Sequence, residues 1–149
     1  MNEHTTDYWC IMCKNVIKLM VCGSRTIDDK DFIYKKIDEC IVENFPNEEI
    51  IIIEGEARGV DSIAKQWAIN HNKQIEAYPA KWDLYGKSAG YRRNVDMVKA
   101  CDHCLIIWDG KSKGTKHDID LCTKYKKPYT LNLVLSRPSF CGRSQTRRR

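Results

Sequence analysis

No apolar run in this chain approaches the ~18 residues that a membrane-spanning helix needs. Its amino terminus carries Glu3 and Asp7 instead of a basic stretch followed by an apolar one, so it shows no secretory leader and a cytoplasmic protein is the expectation. Eight cysteines in 149 residues fall short of the ~8–10% typical of a disulfide scaffold, and in a reducing compartment they stay thiols. With 42% hydrophobic and 30% charged residues, a disordered chain is excluded as well. There is no internal repeat.

Acidic residues are missing from one place only. Residues 136–149 hold five arginines (Arg137, Arg143, Arg147, Arg148, Arg149) and no Asp or Glu. Those five account for the net charge of +5, since 20 basic and 20 acidic residues remain elsewhere. The charge therefore describes a tail, expected to be disordered and to make no more than weak, nonspecific contact with nucleic acid. Residues 1–15 lack a period and read as an extension, which leaves 16–135 as the folded domain.

What is present is a repeated strand, glycine turn and helix. Ile50 to Ile53 are four consecutive isoleucines, poor helix material and well suited to a parallel strand buried on both faces. Gly55 and Gly59 break the chain, and Ile63, Ala64, Trp67 and Ala68 take up a helical period. The same alternation runs throughout. Strands are expected over 16–22, 49–54, 75–78, 103–108 and 128–134, with helices over about 28–44, 61–72, 91–100 and 116–125. Thr26 to Asp29 reads as a capping box for the first helix, and 81–90 as a long polar and aromatic connection. This order predicts an α/β fold, a Rossmann-like three-layer sandwich on a mainly parallel, five-stranded, doubly wound sheet. Ligands of such sheets sit beyond the carboxyl ends of the strands, where Gly23, Gly55, Gly59, Gly110 and Gly114 all fall.

Gly23-Ser24-Arg25 and Gly55-Glu56-Ala57-Arg58-Gly59 each join a tight turn to an arginine able to grip a phosphate at two points. Neither matches the dinucleotide G-x-G-x-x-G pattern. Gly-Lys-Ser at Gly86 and at Gly110 is not a P-loop, because Lys81 and Leu105 stand where the earlier glycine belongs. Asp61 opens a helix, where it reads as a cap that could also meet a ribose. Trp82 reads as a base-stacking ring or an apolar lid. Asn94 either meets the ligand or bonds its own backbone.

These residues also form a set. Gly23-Ser24-Arg25, Gly55 to Asp61 followed by Ala64, Pro79-Ala-x-Trp82, Ala89-Gly90-x-x-Arg93-Asn94-x-x-Met97 and Trp108-Asp-Gly110 with Gly114-Thr115 resemble the YspA/YpsA-related branch of the SLOG superfamily over residues 17–134. The resemblance implies a binding module for a nucleotide or NAD/ADP-ribose-derived ligand, which it would sense or sequester. A more distant similarity, to the Lonely guy type of phosphoribohydrolase, aligns Arg93 with a catalytic arginine and Asp118 with a catalytic glutamate. It implies cleavage of an N-glycosidic or phosphoribosyl bond as the alternative activity. Two departures stand against that transfer: Lys111-Ser112 replaces a pair of glycines, and Asp118 is one methylene shorter than glutamate.

The expected ligand site is thus Gly23, Ser24, Arg25, Gly55, Ala57, Arg58, Gly59, Asp61, Trp82, Asn94, Gly114 and Thr115, with Arg93 and Asp118 as the pair available for chemistry. No cofactor or metal is called for, and self-association stays open. Cys10-x-x-Cys13 and Cys101-x-x-Cys104 have zinc-ligand spacing and would meet only if the first and fourth strands were neighbours. The resemblance does not include them.

Overall fold

The computed structural model describes residues 15–135. Five strands, β1 (Val16–Gly23), β2 (Glu49–Glu54), β3 (Gln74–Ala77), β4 (His103–Trp108) and β5 (Tyr129–Leu133), alternate with helices. The helices are α1 (Lys30–Asn44), α2 (Val60–Asn70), the single-turn α3 (Trp82–Tyr85), α4 (Ala89–Ala100) and α5 (Lys113–Lys124). All strand pairs are parallel, in the order β3-β2-β1-β4-β5. A helix between successive strands returns the chain to the same edge, which is why the pairing is parallel throughout. The architecture is the Rossmann-like sandwich that the alternation predicts.

Both faces of the sheet are covered. Ile50 and Ile52 turn into a cluster with Leu19, Val21, Ile33 and Ile37 of β1 and α1. Ile53 turns the other way, with Met20, Met97, Cys104 and Cys122. The two-residue period of a strand produces this division from an unbroken isoleucine run. Among the described residues no helix is long and apolar enough to cross a membrane.

Three local expectations are corrected. The first helix starts at Lys30, and its cap is Asp29, whose carboxylate accepts from the Phe32 N–H at 3.2 Å. Thr26 takes no part in a capping box; its hydroxyl donates to Asp109 at 3.4 Å. Residues 81–90 are not an irregular connection. The Leu84 and Tyr85 N–H groups fold back onto the Lys81 carbonyl at 3.0 and 2.9 Å, forming α3. Gly86, at φ 59°, ends that turn, and a 3₁₀ turn over Gly86–Ser88 leads into α4. The last helix begins at Lys113, because Ser112 caps it by accepting from the Thr115 N–H at 3.4 Å. Gly114 and Thr115 therefore belong to the first helical turn.

Candidate functional site

In this strand order the chain leaves β1 toward β2 on one side and returns to β4 on the other, so the β1/β4 boundary is the switch point at which a cleft opens. Two joined hollows lie there. The inner one, about 70 Å³, is floored by Cys22, Gly23, Asp61, Met97 and Asp118 and walled by Arg25, Ala57, Asn94, Ser112 and Thr115. The outer one, about 210 Å³, adds Trp82, Lys87, Gly90 and Tyr91. Arg25, Arg93, Asn94 and Gly114 line both.

Arg93 is locked in place. Its Nη1 donates to the Gly55 carbonyl, and its Nε donates to Asn94 Oδ1 at 2.9 Å. The Gly55 N–H in turn donates to Asp61 Oδ2 at 3.0 Å. A Cβ on Gly55 would stand 2.7 Å from Arg93 Nη1 and 2.9 Å from Asp61 Oδ2, so only glycine permits this interlock. Gly59 is constrained differently: at φ 79°, a side chain there would also meet the Arg25 carbonyl oxygen at 2.6 Å. The two glycine turns are thus pressed together, and Arg25 is placed by Gly59.

Asp61 is not the cap of α2, as its position suggested. Gly59 occupies the cap position without a side-chain bond, and Asp61 reaches back to hold the β2–α2 turn closed. Burial pushes its carboxyl up to about 6, against the pull of the Gly55 N–H and the Arg93 charge. Asp118 is buried as well: it is 5% exposed, and among the described residues its Oδ1 has no hydrogen-bond partner. Burial, with Asp61 as a second negative neighbour, pushes Asp118 up to about 7. A buried carboxyl with an unused oxygen in a cleft is the arrangement that a ligand hydroxyl or a reacting centre completes.

Groups able to bind an anion come from α5. The first N–H groups of a helix have no partner within it, and they carry the positive end of its dipole. Ser112 occupies that of Thr115, which leaves those of Lys113 and Gly114. Gly114 lines both hollows, and a Cβ there would meet nothing within 4 Å, so its backbone lies bare to the cleft.

Of the remaining residues named from the sequence, Gly23, Ala57, Thr115, Trp82 and Asn94 lie on the cleft. Ser24 and Arg58 do not. Ser24 is buried, its Oγ accepting from the Asp109 N–H at 3.0 Å, and it ties the ends of β1 and β4 together. Arg58 is exposed and lines neither hollow. Sequence reasoning also missed participants. Ser112 could have been found, since serine is a favoured cap residue at a helix start. Cys22 could not, because nothing local separates it from a core residue. Nor could Glu54, which lines neither hollow but is fully buried at the end of β2 and pushed up to about 8 by that burial, one oxygen accepting from the Glu56 N–H at 2.7 Å.

β1 and β4 are neighbours, as the cysteine reading required. Cys101 and Cys104 nevertheless face inward: Cys101 Sγ donates to the Val98 carbonyl at 3.3 Å, and Cys104 Sγ lies 3.8 Å from Cys22 Sγ. Burial raises both thiols. Cys10 and Cys13 lie outside the described residues, as do both terminal segments read from the sequence. Among the described residues no group of three or more His, Cys, Asp or Glu has a metal-holding arrangement.

Comparison with known proteins bears on this geometry. The model of the YspA, cpYpsA-related SLOG family matches residues 17–85. The gene 61 protein of Mycobacterium phage D29 is 34% identical over 107 residues, covering 67% of this chain and 83% of the relative. Two solved structures share the fold. DNA processing protein A from Streptococcus pneumoniae superposes with a TM-score of 0.60 at 16% identity, over 78% of this chain and 50% of that one. DNA processing protein A from Helicobacter pylori, which binds single-stranded DNA, superposes with a TM-score of 0.57 at 23% identity, over 77% of this chain and 64% of that one. This chain therefore spans less than two thirds of either, and the likeness to them is one of fold.

Proposed function

Because the chain belongs to the YspA, cpYpsA-related SLOG family, we propose that it binds a nucleotide or a NAD- or ADP-ribose-derived ligand at the carboxyl edge of its sheet, as a sensing or sequestering module. The observation that carries this reading is the meeting of Arg25, Arg93 and the bare amides at the start of α5 around one cleft. Two guanidinium groups and a helix amino terminus form a phosphate site. The inner hollow, about 70 Å³, admits only a small group, so a sugar hydroxyl against Asp118 fits where a base does not. The base belongs in the outer hollow, against Trp82, whose ring lies beside Gly90.

Thermal-shift measurements with AMP, NAD and ADP-ribose test this. A ligand at 100 times its Kd stabilises the fold by about 2.7 kcal/mol, and Arg93→Ala should abolish the shift. Wild-type protein whose melting point responds to none of the three at millimolar concentration would sink the reading.

One observation favours a second activity, hydrolysis of an N-glycosidic or phosphoribosyl bond. Among the described residues Asp118 keeps an unpartnered oxygen beside the Arg93 charge, and its carboxyl is raised to about 7, so both protonation states are populated near neutrality. Ionised, it would stabilise the cationic sugar through which such cleavage passes. Release of free base from a nucleoside monophosphate or NAD, lost in Asp118→Ala while binding persists, is the expected result for an enzyme. Binding without release leaves the module alone.

A further inference from the structure

Beside the cleft lies a larger concavity of about 650 Å³ to which nothing above gives a role. Its walls are Tyr91 and Trp108, and its rim carries Lys111 and Lys113. Tyr91 also lines the outer hollow of the cleft, so the two spaces share a wall.

The aromatic walls are held in position. The Trp108 indole N–H donates to the Ser112 carbonyl at 3.0 Å. Tyr91 stands edge-on to His117, with ring centroids 4.7 Å apart and planes at 84°. His117 Nδ1 is 3.4 Å from Asn94 Nδ2, and Asn94 is the residue that takes the Arg93 Nε–H. The concavity and the cleft are therefore braced by the same side chains.

Its charge runs against the helix that bears it. Lys116 is paired with Asp120 at 2.6 Å, but Lys111 and Lys113 form no ion pair among the described residues. Both stand at the positive end of α5, whose first turn holds no acid. Cations there lower helix stability, and the one carboxylate at this helix start, Asp109, which accepts from the Lys111 and Ser112 N–H groups at 2.8 Å, leaves the two lysines in excess of it. Aromatic walls beside unpaired lysines, in a space of a size that takes a nucleotide, form the kind of platform on which bases stack and phosphates are neutralised.

We propose that this concavity is a subsite for a second nucleotide unit, its phosphate between Lys111 and Lys113 and its base against Tyr91 and Trp108. The ligand is then two phosphate-linked nucleosides instead of a mononucleotide. The inference rests on the nucleotide reading of the cleft. A free dinucleotide and successive units of a single strand share this chemistry.

Titration calorimetry on the full chain, with AMP, NAD and a short oligothymidylate as probes, separates these sources. The Lys111→Ser variant should bind NAD or the oligonucleotide about fivefold more weakly and AMP within about twofold of wild type. Which of the two longer probes suffers identifies the source. Unchanged affinity for both, or an equal loss for AMP, overturns the second subsite and leaves the cleft standing. Wild-type protein that binds none of the three overturns the nucleotide reading, and the subsite with it.

Discussion

The two faces of the sheet are built from different materials. The face covered by α1 and α2 is filled by isoleucine, leucine and valine, with Trp67 closing it by an indole N–H donated to Asp38 at 3.0 Å. The face covered by α4 and α5 is filled largely by Met20, Met97, Cys22, Cys101, Cys104 and Cys122. Branched aliphatic side chains have few rotamers and pack into one arrangement, whereas thioethers and thiols are soft and tolerate irregular gaps. Each face ends in a buried carboxyl with one oxygen unpartnered among the described residues, Glu54 on the first and Asp118 on the second, but of the two only Asp118 lines the cleft. One face is a largely aliphatic core, and the other is a sulfur-rich core that borders the candidate site.

Truncating the aliphatic face should have the largest effect. Ile52 is wholly buried, and Ile52→Ala should cost about 2–5 kcal/mol of unfolding free energy by denaturant titration, without changing ligand affinity per folded molecule. A loss below about 1 kcal/mol would break the comparison.

The second effect lies on the other face and depends on pH. Asp118 in the folded protein is raised from 3.8 to about 7, so between these values the folded state keeps a proton that the unfolded chain has lost. The stability that this proton confers is complete below pH 3.8 and is lost as pH rises to about 7. Melting temperature should fall across that interval in the wild type, and fall less in Asp118→Asn, with Asp61 supplying slope up to about 6 and Glu54 up to about 8. A variant whose slope equals or exceeds that of the wild type would contradict the burial argument.

The smallest effect is expected from Cys104→Ala. It removes one sulfur atom from the adaptable face, and a cost of about 1 kcal/mol in the same denaturant titration is expected. A cost as large as that of Ile52→Ala would show that the two faces are equally rigid.

Much of the architecture was legible because its signals are local. The isoleucine run, the glycine turns and the helical period of α2 name their elements directly, and alternation alone requires parallel pairing. Errors came where two local signals compete. Lys111 to Thr115 reads as a polar turn until Ser112 is recognised as a cap, and Trp82 to Tyr85 reads as a connection because Pro79 and Gly86 bracket too few residues to show a period. Asp61 was misread for a different reason: its partner, the Gly55 N–H, precedes it in the chain, whereas a cap bonds forward.

The amino-acid order alone determined that strands and helices alternate, that the sheet is parallel, and that its glycines collect at the carboxyl ends of strands, since periodicity and backbone freedom are properties of short segments. Only the tertiary structure decided that Arg93 would grip the Gly55 carbonyl, 38 residues away, that Arg58 would stand outside the cleft while Arg25 lines it, and that Asp118 would be buried with one oxygen unpartnered among the described residues. Burial, charge coupling and hydrogen bonding depend on groups brought together from remote elements, and no window of sequence contains them.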